Sequence, residues 1–87
     1  MKTWKFTISP NNNLIATGCN SIMLFDIDSG EKISEISNDN KYIYTMTYLN
    51  ENTLALGNTN GSIYIVNTET KKRLHNLKGI KFFKRNR

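Results

Sequence analysis

Apolar and polar residues along the chain fall into eight short runs separated by clusters of turn formers. Residues 3–9 alternate around Trp4, Phe6 and Ile8, the period-two signature of a strand with one covered face. A turn of Pro10 and three asparagines leads to a short apolar run at 14–18 (LIATG), and Cys19-Asn20 leads to a longer one at 21–27 (SIMLFDI). Residues 28–31 (DSGE) turn the chain again, and 32–37 (KISEIS) alternate. The same succession follows at 42–48, 53–57, 62–67 and 72–77. Asn60-Gly61, between the runs at 53–57 and 62–67, predicts a two-residue hairpin turn of the primed type, which needs positive φ at its centre. The expectation is an all-β chain of short hairpins.

The second half repeats the first. Leu14 lines up with Leu54, Gly18 with Gly57 and Ile22 with Ile63, a period of about 40 residues with four strands in each unit, which is the signature of a propeller blade. Each blade is then a four-stranded antiparallel sheet packed between two neighbours. Its middle strands are expected to be buried on both faces, and IMLF and IYIV are continuous apolar runs accordingly. Its rim strands are expected to alternate.

FTISPNNNLIATG resembles the FSPDG-x-LATG first half of the WD-repeat (β-transducin-like) family, and SIMLFDIDSGEKI resembles the T-V-R-L-W-D-x-x-T-G-K second half. Phe25-Asp26 and Val66-Asn67 stand where that family has Trp-Asp, and Leu77-Lys78-Gly79-Ile80 is similar to its L-x-G-H segment. The resemblance covers residues 4–77 and implies a non-catalytic module that holds other proteins. Both repeats lack the tryptophan, and no histidine follows Gly79, so the family's His–Ser/Thr–Asp–Trp hydrogen-bonded tetrad is incomplete, with Thr17 as a remnant. The organisation expected is a first blade at 1–39, a second at 40–79, and a basic tail at 80–87 that reads as the shortened start of a third.

Charge sharpens this picture more than composition does. The net +5 of the 87 residues is uneven: the eight cations from Lys71 onward meet no acid, while residues 1–70 carry a net −3. The tail residues Lys78, Lys81, Phe82, Phe83, Lys84, Arg85 and Arg87 therefore have two readings. One is a soluble frayed end; the other is a site for an anionic partner, nucleic acid or acidic membrane, using cations on phosphate and rings for stacking or insertion. The single Cys19 excludes an internal disulfide and suits a reducing, cytoplasmic setting. No apolar run reaches the ~18 residues of a membrane helix.

Candidate chemistry is sparse. Residues 26–31 (DIDSGE) space carboxylates like a short calcium loop, but the second repeat keeps the turn and drops most of the charge, so a hairpin turn is expected. Cys19 and His75 fall in non-equivalent strands, which disfavours a nucleophile–base pair. One Cys and one His cannot build a zinc site within a chain. Residues 57–61 (GNTNG) lack the Gly-Lys-Ser/Thr ending of a phosphate loop, and Asn60-Gly61-Ser62 matches a glycosylation acceptor that the turn already explains. No catalytic, cofactor or metal residues are expected. Tyr42, Tyr44 and Tyr48 share one strand face by period two and are candidate interface residues, with packing as the simpler role. Closed propellers have about 4–8 blades. Two blades are thus expected to be completed by three or four copies of the chain or by docking on another propeller, unless the chain is a propeller fragment.

Overall fold

The computed structural model describes residues 5–77. All regular structure among them is β. Strands β1 (Lys5–Ile8), β2 (Leu14–Gly18), β3 (Ser21–Asp26) and β4 (Lys32–Ser37) form one antiparallel sheet in sequence order. Strands β5 (Ile43–Asn50), β6 (Thr53–Asn58), β7 (Ile63–Asn67) and β8 (Lys72–Leu77) form a second in the same order. The two four-stranded blades expected from the repeat are both present.

The turns are set by side chains that tolerate left-handed backbone or cap it. Asn12, Asp39 and Asn40 adopt positive φ, as short polar side chains can. The Asp26 carboxylate accepts the Ser29 N–H at 2.9 Å, and the equivalent Asn67 accepts Glu69 and Thr70 N–H at 2.9 and 2.8 Å. Each of these loops closes through a left-handed residue, Gly30 in the first blade and Lys71 in the second. The Asn60-Gly61 turn differs from the primed two-residue form. Asn58 O accepts the Gly61 N–H and Asn58 N–H donates to Ser62 O, with only Gly61 at positive φ, so three residues make the loop. Asn60 keeps an ordinary φ, with its Oδ1 accepting both the N–H and the hydroxyl of Ser62, and Gly61 alone is left-handed.

Register shows how the repeat is built. Gly18 pairs with Ile22 and Gly57 with Ile63, so these positions are equivalent, and Ile15 rather than Leu14 is the counterpart of Leu54. The β-bulge between the third and fourth strands recurs as well, at Leu24/Phe25 and at Ile65/Val66. The sheets pack face to face around one core. Ala16, Ile22, Leu24 and Ile36 come from the first; Leu54, Leu56, Tyr64 and Val66, with Ile43 and Met46, come from the second.

Burial corrects the expectation for the middle strands. In β3 and β7 alternate residues are buried, while Met23, Phe25, Ile63 and Ile65 are only half-buried, because each sheet has a neighbour on one side. Nor does β8 alternate: it is exposed throughout, lying beside a cleft on one face and solvent on the other.

Candidate functional site

Three features lie beyond the core: a polar bridge between the blades, a cleft beside it, and the two outer blade faces. The bridge begins at Asn38, just after β4. Its Nδ2 donates to Lys41 O and to Asn58 Oδ1, both at 2.9 Å, and Asn58 Nδ2 donates to Ser62 Oγ at 3.1 Å. Ile43 N–H adds a bond to Cys19 O at 2.6 Å, and Thr59 N–H one to Tyr42 O at 3.0 Å. Asn38, Asn58 and Ser62 are all buried, so each donor needs this partner. Sequence reading missed Asn38 and Asn58, which look like ordinary turn asparagines.

The adjoining cleft, about 210 Å³, lies between the end of β4 and the β7–β8 hairpin, with Tyr64, Asp39 and Arg73 at its wall. Asn38 Oδ1 is buried there without a partner among the described residues. The Arg73 guanidinium sits 4.3 Å from the Tyr64 ring centroid and 2.5 Å from Asp39, which holds its pKa above the usual arginine value. These contacts tie blade two to the linker.

The outer faces follow from the registers. On blade one, Phe6, Thr17 and Met23 share a row with Glu35, and Ile8, Ile15 and Phe25 form the next. On blade two, Thr45, Gly57, Ile63 and Leu77 form one row, and Thr47, Ala55, Ile65 and His75 the next. Phe6 is 65% exposed and Leu77 50%. At the blade-one edge Glu35 accepts Lys32 Nζ at 2.8 Å and the Ser21 hydroxyl at 3.2 Å, and the bond from Lys32 keeps its pKa below the usual carboxylate value.

The three tyrosines separate. A bulge at Tyr44 breaks the period-two alternation, since Ile43 pairs with Asn58 and Thr45 with Gly57. Tyr48 therefore turns inward and packs against the core, whereas Tyr44 stays 68% exposed with Lys5 Nζ 5.9 Å from its ring centroid. Tyr42 is exposed just ahead of β5. They do not form one shared face. The Tyr48 hydroxyl is buried without a partner among the described residues, and burial, then the Glu51 charge, pushes its pKa up.

Cys19 is buried at the blade junction, and His75 lies on the blade-two face turned away from it, so the structure does not bring them together. Among the described residues no group of three or more His, Cys, Asp or Glu side chains gathers into a metal site. Trp4 and the tail residues Lys78, Lys81, Phe82, Phe83, Lys84, Arg85 and Arg87 lie outside the described residues.

No family model and no curated protein matches the chain. Solved structures do. The crystal structure of RRP9 WD40 repeats and the structure of U3-55K each superpose with a TM-score of 0.78 at 14% identity. The match covers 88% of this chain and 24% of each of those, so the chain spans about a quarter of their length. The fold is WD40-like: two adjacent blades of a β-propeller.

Proposed function

We propose that the chain is a non-catalytic, WD-repeat-like protein-interaction module that works by placing a blade face against another protein. The supporting observation is that both outer faces carry apolar rows built on the same registers as the packed faces, yet remain open. On the first blade Phe6 is 65% exposed and Ile8 45%, in rows continued by the half-buried Ile15, Met23 and Phe25, an apolar surface of the kind that marks a contact site. Blade faces are shaped to receive blades, so the protein that covers them presents a sheet of its own.

Photocross-linking in cells that produce the chain tests this. A photoreactive phenylalanine analogue at Phe6 or Ile65 should yield adducts with protein, while the same group at Ser29, on an exposed turn, should yield none. Adducts absent from both faces, or equally abundant at Ser29, would overturn the reading.

A further inference from the structure

We propose that the protein covering these faces is a second copy of this same chain, docked head to tail, blade two of one copy against blade one of the next. This rests on the interaction-module reading above and names its partner.

The first argument is continuity with the interface inside the chain. Blade one docks on blade two through the rows containing Gly18, Ile22, Ala16 and Leu24. The register equivalents of these four are Gly57, Ile63, Ala55 and Ile65, which form the open face of blade two. Conversely, blade two receives blade one through Leu54, Leu56, Tyr64 and Val66, whose equivalents Ile15, Thr17, Met23 and Phe25 form the open face of blade one. The knob-and-floor pattern is kept: both donor faces are small at β2 or β6 and branched aliphatic at β3 or β7. Each open face thus has, within the chain, a packed counterpart that shows what fits it.

Exposure makes the vacancy visible. Ile36 is 6% exposed at the packed junction, while its equivalent Leu77 is 50% exposed. Met46 is 8% exposed, while its equivalent Phe6 is 65% exposed. Covering both by the same geometry would repeat an interface the sequence already encodes.

The second argument is charge. Residues 5–39 hold five carboxylates against two lysines, net −3, while residues 40–77 hold four cations against two carboxylates, net +2 with His75 neutral. Head-to-tail docking sets the acidic blade against the basic one. A two-fold dimer through either face would set like against like, which is unfavourable. A heterologous contact of this kind closes into a ring when its rotation allows. Three copies give six blades and four give eight, both within the usual range of about 4–8.

Analytical ultracentrifugation of the purified full chain at micromolar concentration should give the mass of a trimer or tetramer. Phe6→Lys blocks the blade-one face and Leu77→Lys the blade-two face; both positions are exposed, so far-UV circular dichroism should stay unchanged. Each variant alone should fall to a monomer. Mixed, they should form a 1:1 complex and stop there, because each retains the one face the other lacks. A monomeric parent chain would overturn the proposal, as would a dimer that either single variant leaves intact or a mixture that remains monomeric. A monomeric parent that still cross-links to a different protein through Phe6 would leave the interaction-module reading standing while removing self-assembly.

Discussion

Replacing Asn38 tests whether the two blades are joined by a specific polar bridge or by apolar contact alone. Asn38 is 2% exposed, and its Nδ2 serves two acceptors, Lys41 O and Asn58 Oδ1, each at 2.9 Å. Asn38→Ala removes both donors at once. Asn58 is 5% exposed, so its Oδ1 loses the bond with little access to water, whereas the half-buried Lys41 can rehydrate its carbonyl in part. At about 1–3 kcal/mol for a buried orphan plus the lost bond to a wetter one, the expected loss is about 2–4 kcal/mol. Asn38→Asp keeps the shape and supplies a pH signature. Its carboxylate would face two acceptors in a buried site, so only the protonated form, with one O–H donor, is tolerated, and its folded pKa rises above the ordinary value of about 3.9. The folded state then binds more protons than the unfolded one over that interval. Stability is best preserved below about pH 4 and falls by about 1.4 kcal/mol per pH unit above it until the folded pKa is reached. Urea denaturation followed by circular dichroism, at one fixed protein concentration so that any association contributes alike, measures all three proteins. An alanine variant within about 0.5 kcal/mol of the parent, with an aspartate variant whose deficit is flat from about pH 4 to 7, would refute the bridge.

Other substitutions probe the frame around it. Lys71 holds the left-handed position that Gly30 fills in the first blade, so Lys71→Gly should stabilise the chain by about 0.5–1 kcal/mol and raise the denaturation midpoint, while Gly30→Lys should lower it. Gly18→Ala places a Cβ 2.7 Å from Ile43 Cδ1 and 2.9 Å from Ser21 O; the isoleucine can yield but the carbonyl cannot, so a loss of about 1–3 kcal/mol is expected by the same melts. Tyr48→Phe removes a buried hydroxyl that has no partner among the described residues, and should be neutral or stabilising. Because burial raises the Tyr48 pKa, the parent should lose stability as pH climbs past the ordinary phenol value of about 10, and the phenylalanine variant should lose less.

The strand positions were legible because each run was short, apolar and bounded by residues with a specific turn role. The blade architecture was legible because Gly18-to-Ile22 pairing recurs at Gly57-to-Ile63, and a four-strand unit that repeats can hide its faces only by stacking. The failures have local causes. In the string Leu14 aligns with Leu54 because leucines are alike, whereas hydrogen-bonded register makes Ile15 the counterpart. Strict alternation groups Tyr42, Tyr44 and Tyr48, and a single bulge at Tyr44 turns Tyr48 inward. The Asn38–Asn58 bridge spans 20 residues of sequence and uses residue types that turns also use, so nothing in the local string separates the two roles.

The same repeat that made the fold readable also explains why its surface is asymmetric. Within one blade, β2 and β3 carry two different faces: one with Gly and Ala opposite branched aliphatics, the other with larger residues at β2. A duplicated blade presents the first kind at one end and the second at the other, and the junction between the two copies of the repeat consumes one of each. What remains open is again one of each, so the head-to-tail contact proposed above joins unlike faces related by a rotation that is not two-fold. Identical blades would leave the proposed association uncontrolled. The divergence of the repeats limits it: Tyr64 stands at the position of Met23, His75 at that of Ser34, and the charges split between the halves. A negative first blade and a positive second one allow end-to-end contact and penalise the face-to-face pairings that equally apolar sheets would otherwise permit.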